Sequence, residues 1–352
     1  VLGGSYPSYT SVGSTVPVSL TWEKSTTYDL GLDLDFLNNR LSFSGDYYRR
    51  YTTDMYTPSI SLPSVYGTTS PKGNNAELRT TGWELSLTWR DSFKLGGKPF
   101  DYSIKAMVWD NRTVVTKYEN ATRSLGTLKG YIQNGGSPSD FYEGMELGEM
   151  WGYTVAGLFR DQADIDSSAT HDFTQASDKV TRPGQVKIAD LDHNGNIDPG
   201  AFTADDHGDL SIIGNINPHY MFGVNLAANW NGIGLSVFLQ GVMKRDWYPS
   251  PDSGYFWGKY ARPFMWVLGI HNYTDDMYSE EKNNWDTAYW PRMTTYQSNS
   301  SYSWTKLLEI PNTRYKQNAA YLRVKNIQVD YTFPKALCQK IRLGGLKIYL
   351  SG

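Results

Sequence analysis

Apolar and polar residues alternate singly along much of this chain, in long stretches separated by turn signals. The fullest case is residues 220–240: Tyr220, Phe222, Val224, Leu226, Ala228 and Trp230 alternate with Met221, Gly223, Asn225, Ala227 and Asn229. Asn231-Gly232 then turns the chain, and Ile233, Leu235, Val237 and Leu239 resume the apolar face. A period of two predicts strands with one apolar face. Asn-Gly between two such runs predicts a hairpin.

The same reading predicts a short strand over residues 16–22 and a longer one over 26–36. In the second, Tyr28, Leu30, Leu32, Leu34 and Phe36 oppose Asp29, Gly31, Asp33 and Asp35. Asn38-Asn39 turns the chain into a strand from Leu41 towards Asp54, and a wide loop over 58–75 leads to Trp83, Leu85, Leu87 and Trp89 on one face. Gly96-Gly97 turns it again into Phe100, Tyr102, Ile104, Ala106 and Val108. Strands return at 321–333 and at Leu346, Ile348 and Leu350. Long strands joined alternately by tight turns and wide loops predict an all-β fold, part of a large antiparallel transmembrane β-barrel with long extracellular loops. The stripe from Trp83 to Trp89, aromatic at both ends, fits a lipid-facing wall between two girdles. A sandwich strand burying both tryptophans is the competing architecture.

Between these strands the alternation fades over residues 113–219 and 244–318, where only 151–159 reads as strand. Such lengths are too great for idle connections and predict functional surface, here mainly long extracellular loops.

Composition narrows the choice. The mean hydropathy is −0.50, yet the 352 residues include 26 Tyr, 12 Trp and 13 Phe. That balance suits apolar stripes alternating with polar ones and bounded by aromatics. No apolar run approaches the roughly 20 residues of a spanning helix. The net charge of −3 carries no basic stripe, which argues against nucleic acid as a partner. The single cysteine, Cys338, excludes a disulfide framework and reads as a small apolar residue near a strand end. The chain opens on Val1 without an initiating Met and ends at Gly352 within an alternating run, so a longer parent is expected.

No catalytic residue is predicted: the five histidines are scattered, and neither a Gly-x-Ser-x-Gly elbow nor a phosphate-cradling loop is present. One motif does carry chemistry. Asp190, Asp192, Asn194, Gly195 and Asp198 fall at positions 1, 3, 5, 6 and 9 of an EF-hand-type loop, with Asn196 at position 7. Position 12 is Ala201, where a bidentate carboxylate belongs. An insertion over 199–208 that loops out would deliver Asp209 instead, with Asp205 or Asp206 as substitutes. The candidate cofactor is therefore Ca2+, held by Asp190, Asp192, Asn194, Asn196, Asp198 and Asp209. The alternative is a loop of Asx turns satisfied by its own backbone. Candidate substrate contacts are Trp257, Trp266, Trp285, Trp290 and Trp304, whose flat faces suit sugar rings. The alternative for these is packing of the loops or contact with a partner protein.

Three blocks of residues together resemble the C-terminal barrel region of SusC/RagA-like TonB-dependent outer-membrane transporters of Bacteroidota. The first is Leu20-Thr-Trp22-Glu23-Lys24 with Gly31-Leu32-Asp33, Asp46-Tyr47-Tyr48 and Gly82-Trp83-Glu84-Leu85. The second is Glu143-Gly144, Gly152-Tyr153 and Gly157-Leu158-Phe159, followed by the acidic loop, Ile213-Gly214 and the hairpin. The third is Trp285 with Pro291-Arg292, then Tyr321-Leu322-Arg323-Val324-Lys325-Asn326 and Tyr331.

The resemblance implies one barrel portion over residues 1–352, with the plug domain lying outside this sequence. It implies an outer membrane of a Gram-negative bacterium, with the loops facing the cell exterior. Implied partners are a SusD-like surface lipoprotein, outer-membrane lipid and, through the plug or N-terminal region, the TonB complex. The implied activity is oligosaccharide import (glycan uptake), or oligopeptide import by the same design. A soluble secreted β-rich glycan-binding module and a surface glycosidase are the readings from other classes.

Overall fold

The computed structural model describes residues 20–58, 72–125, 141–171, 181–249, 276–292 and 311–352. Eight long strands form one antiparallel sheet. In chain order they are β1 (Lys24–Phe36), β2 (Leu41–Pro58), β3 (Lys72–Leu95) and β4 (Lys98–Lys117), then β9 (His219–Trp230), β10 (Ile233–Lys244), β13 (Tyr321–Thr332) and β14 (Lys347–Ser351). Each pairs with its neighbour in that order. The sheet is thus a meander, in which every strand pairs with its predecessor among the eight.

Register turns the alternation into two surfaces. Leu34 faces Phe43, which faces Leu87, and the row continues through Ala106, Val224, Leu239 and Val324. One residue along, Asp35, Ser42, Thr88, Lys105, Asn225, Phe238 and Asn326 form the next row on the opposite face. A slip of one residue would reverse both faces, so the agreement across seven strands is itself evidence of a specified register. The apolar face is open: Leu30, Leu32, Leu85, Leu87, Ile104, Leu235 and Val329 are exposed. Burying none of these against a second sheet, the structure rejects the sandwich alternative. The polar face carries a hollow of about 380 Å³ lined among others by Ser44, Asp46, Glu84, Ser86 and Lys105.

One end of the sheet holds the short turns. Asn231 (φ 49°) and Gly232 (φ 88°) are both left-handed, as are Gly96 (φ 57°) and Gly97 (φ 75°), the geometry whose twist matches paired strands. An aromatic row lies just inside this end: Phe93, Phe100, Trp230 and Tyr331 share one register line on the apolar face. Trp230 Nε1 donates to Leu95 O at 3.0 Å, and the Phe93 and Phe100 ring centroids are 5.0 Å apart. From Trp83 to Phe93 the strand advances about 33 Å, or roughly 25 Å of height at barrel tilt. That is the depth of a membrane band. The aromatic row at Phe93 thus lies about a band's depth from Trp83; between them, on the same face, Trp89 Nε1 donates to Tyr102 Oη at 3.2 Å and Asp91 pairs with Arg40 at 3.6 Å.

The other end carries a layer of paired short strands: β5 (Glu149–Tyr153) with β8 (Leu210–Asn215), β6 (Val155–Leu158) with β7 (Val186–Ile188), and β11 (Asp246–Trp247) with β12 (Gln317–Asn318). The region 151–159 is thus two strands, with a helical turn α1 (Gln162–Asp166) beyond them. Of the short strand expected over 16–22, residues 20–22 are not strand and the remainder lies outside the described residues. The buried core sits in this loop layer, with Leu125, Met150, Leu210 and Tyr315 all fully enclosed. Cys338 is buried in α2 (Lys335–Lys340), which follows β13.

Candidate functional site

The acidic loop joins β7 to β8, so its two ends leave strands of different pairs. His193 (φ 59°) and Gly195 (φ 85°) supply the left-handed bends that fold it on itself. The Thr170 amide donates to Gly195 O at 2.9 Å and the Ile197 amide to Thr170 O at 2.8 Å, pinning the loop's far side to a second segment.

Asp209 is the centre of the arrangement. It is 0% exposed, and its two carboxylate oxygens accept from Leu191 N at 2.6 Å and Asp198 N at 2.9 Å. Its own amide donates to Asp198 O at 2.9 Å. Residues 199–208 loop out between these points, closed by the Phe202 amide on Pro199 O and the Thr203 amide on Asp206 O. Of the two substitutes, the Asp205 carboxylate pairs with Arg123, and Asp206 lies in the looped-out segment with its amide donating to Thr203 Oγ1 at 3.0 Å.

Ligand oxygens of Asp190, Asp192 and Asp209 lie within 4.8 Å of one another. Oxygens bound to one calcium stand about 2.4 Å from it, hence no more than roughly 4.8 Å apart. Asn194 Nδ2 donates to Asp192 Oδ2 at 3.0 Å and to Asp198 Oδ2 at 3.3 Å, so an amide donor stands between carboxylates that a cation would draw together. Asn196 donates its amide to Asn194 Oδ1 at 2.7 Å. The donor set fits a hard cation by a further observation: Asp190 Oδ1 is buried with no hydrogen-bond partner. A buried carboxylate oxygen left unbonded is costly, and a cation at this point would satisfy it.

The loop is exposed over residues 191–196 but rests on buried residues. Tyr153 is 2% exposed, and burial followed by the nearby Asp209 and Asp198 carboxylates raises its pKa. The Tyr153 amide donates to Pro311 O at 2.9 Å, and the Thr313 amide to Tyr153 O at 3.0 Å, so the second loop region docks on β5 beside the acidic loop. His171 is likewise enclosed. Its Nδ1 is 2.7 Å from Ala169 O and its Nε2 accepts from Ile188 N at 2.9 Å. This fixes a neutral tautomer whose pKa burial lowers.

Two further buried carboxylates, not foreseen from sequence, tie the layer together. Glu149 accepts from Tyr142 Oη, from Trp151 Nε1 at 2.9 Å and from Glu146 N at 3.1 Å. Asp110, at the loop end of β4, accepts from His219 Nδ1 at 2.8 Å, and His219 Nε2 lies 3.5 Å from Glu146 Oε1. The partners of Glu149 are local, two to seven residues away, whereas Asp110 and His219 lie 109 residues apart, beyond the reach of any local pattern.

Of the aromatic candidates, Trp257, Trp266 and Trp304 lie outside the described residues. Trp285 packs half-buried against the core. Trp290 is 6% exposed and stacks on Tyr315 at 5.5 Å and 16°. Packed so deeply, its ring has no face to offer a sugar, and Trp290 is a packing residue of the loop layer.

The family model for the TonB dependent receptor-like β-barrel matches residues 2–205. TonB-dependent receptor P3 of Formosa agariphila is 26% identical over 340 residues, which is 95% of this chain and 29% of that receptor. TonB-dependent receptor SusC of Bacteroides thetaiotaomicron is 29% identical over 186 residues, 52% of this chain and 16% of SusC. The solved RagAB peptide transporter superposes with a TM-score of 0.63 at 19% identity, covering 97% of this chain and 32% of that one, a likeness of fold. The chain spans about a third of the proteins it matches end to end.

Proposed function

The chain belongs to the TonB-dependent receptor-like β-barrel family, and from that premise we propose that it forms part of the wall and extracellular mouth of an outer-membrane importer. Members of the family are outer-membrane proteins. The cargo we infer is an oligosaccharide, enclosed by a SusD-like lipoprotein and released inward by TonB acting on a plug. The observation that carries this reading is the pair of register surfaces. One is apolar, for lipid, along the rows that start at Leu32, Leu34 and Phe36. The other is set with Ser42, Ser44, Ser86, Ser103, Asn225 and Gln240, whose hydroxyls and amides suit neutral polyhydroxylated solutes.

A peptide cargo is the second reading. It is favoured by Asp33, Asp35, Asp46 and Glu84 on the same inner face, which would pair with cationic side chains. The test is uptake of labelled oligosaccharides and of labelled peptides by cells carrying or lacking the full-length transporter. Glycan uptake lost with the gene supports the first reading. Peptide uptake alone would replace it with the second.

We also infer that the acidic loop holds Ca2+ through Asp190, Asp192, Asn194, Asp198, Asp209 and the Asn196 carbonyl. Its work is structural: bound there, the ion neutralises the crowded carboxylates and clamps β7 to β8, holding the loop layer in one shape over the pore.

A further inference from the structure

The short turns carry a charge pattern that the transport reading does not use. Across residues 37–40, 93–98, 230–233 and 333–347 there is not one Asp or Glu, in a chain that contains 36 of them. Those segments instead hold Arg40, Lys94 and Lys98, and then Lys335, Lys340, Arg342 and Lys347. All are exposed. Arg40 reaches Asp91 at 3.6 Å and Lys347 reaches Asp330 at 3.0 Å. The other five make no ion pair among the described residues.

Their setting is equally particular. The cations come from three separate turns spread along the sheet rather than from one patch. Lys94, Lys98 and the cations of residues 333–347 stand immediately beyond the row Phe93, Phe100, Trp230 and Tyr331, which bounds the apolar face, while Arg40 lies at the level of Arg90. In the longest turn, α2 and the residues after it are anchored to the strand ends: the Phe333 amide donates to Leu346 O at 2.9 Å and the Leu343 amide to Cys338 O at 2.9 Å. This anchorage presents Leu337, Ile341 and Leu343 to the outside at 46%, 55% and 44% exposure, interleaved with Lys335, Lys340 and Arg342. Exposed aliphatics alternating with cations beside an aromatic girdle are suited to an interface where acyl chains end and phosphates begin.

We propose that this rim binds the anionic headgroups of glycerophospholipids in the periplasmic leaflet. The proposal rests on the reading above in placing the short turns in the periplasm. Charge complementarity and continuity with the lipid-facing wall favour lipid over a protein partner, whose footprint would gather the cations on one side. Each basic side chain at such a surface raises partition of an anionic lipid by about five-fold.

The experiment uses the full-length transporter with its own partner, in nanodiscs of phosphatidylethanolamine and phosphatidylglycerol in equal parts. Lipids retained after mild detergent release are counted by native mass spectrometry. The wild type is expected to retain phosphatidylglycerol preferentially. Changing Lys94, Lys98, Lys335, Lys340 and Arg342 to Gln is expected to reduce that preference at least ten-fold. Should this variant fail to assemble, the pair K94Q/K98Q and the triple K335Q/K340Q/R342Q are read separately, each with a partial loss expected. Equal retention of both lipids by the wild type, or an unchanged preference in assembled variants, overturns the proposal. So does lost transport with unchanged lipid retention, which would assign the rim to a protein contact. Orientation is read independently from Gly345→Cys, where an added side chain meets open space, using an impermeant maleimide. Labelling only after permeabilisation keeps the rim periplasmic. Labelling of intact cells removes the underlying orientation and passes any lipid preference to outer-leaflet phosphates.

Discussion

Replacing Asp209 separates what the acidic loop does as a fold from what it does with a metal. Both carboxylate oxygens accept part-buried backbone amides, from Leu191 and Asp198. Alanine removes both acceptors at a position whose own side chain is fully enclosed. Each stranded amide costs about 1–3 kcal/mol, so D209A should destabilise the joint between β7 and β8 by roughly 2–6 kcal/mol. Asparagine keeps one oxygen and the volume but turns a donor towards a donor, so D209N should cost roughly half as much. The metal adds a separate term. A cation that binds only the folded loop stabilises it by about 2.7 kcal/mol at one hundred times its Kd, slowing opening about 100-fold. The assay is hydrogen exchange at the Leu191 and Asp198 amides of the full-length transporter, in EGTA and in excess calcium. The wild type should gain protection with calcium, and D209N should lose both the basal protection and the gain. Wild-type exchange indifferent to calcium would refute the metal and leave a loop of Asx turns. Wild-type exchange in D209A would refute the clasp altogether.

His171 predicts a pH effect of definite sign. Burial holds its pKa below the ordinary value, so the folded state resists a proton that the unfolded state accepts near pH 6.5. The neutral ring's contribution is complete above about pH 6.5 and declines as pH falls towards the lowered folded value. Limited proteolysis around Ile188 should therefore accelerate on acidification, and a flat profile would contradict the assignment. Leu87→Arg on the apolar face should cost about 2–4 kcal/mol and reduce the heat-modifiable folded band on gels. Ser86→Arg, one residue along and on the opposite face, should leave that band intact; equal loss from both would contradict the two-surface reading. Gly152→Ala would set a Cβ 2.3 Å from Pro311 O. It should release the docked segment at 311–313 to protease while the sheet stays folded, and unchanged digestion would argue against the docking.

The long strands were legible because each carries its own evidence. The run from Tyr220 to Leu239 alternates without a break, and Asn231-Gly232 adopts the two positive φ values its identity predicts. The loop layer was not legible. Its strands are two to six residues long, and they pair across gaps such as Trp151 with Ile212 and Val155 with Ile188. No window of sequence contains both partners. The acidic loop lay between these extremes. Its spacing gave the ligand types, while the delivery of Asp209 past a looped-out insertion became visible only in three dimensions. Trp290 shows the same limit in reverse. An aromatic residue in a polar stretch looks available for a ligand until the stacking partner, Tyr315, is seen to come from another part of the chain.

The length of β3 has a further consequence. The strand holds 24 residues, and those before Trp83 rise about 25 Å above the band at the same tilt. As much wall stands clear of the bilayer as lies within it. It is paired with β2 up to Lys72 and with β4 up to Glu77, and the Val115 amide binds Met145 O while the Leu147 amide binds Thr113 O, each at 2.8 Å. Such a palisade does not bend inward to grip a solute. On the importer reading proposed above, it would fix part of the circumference of an antechamber and leave a solute to be sorted by what covers the top and what blocks the floor.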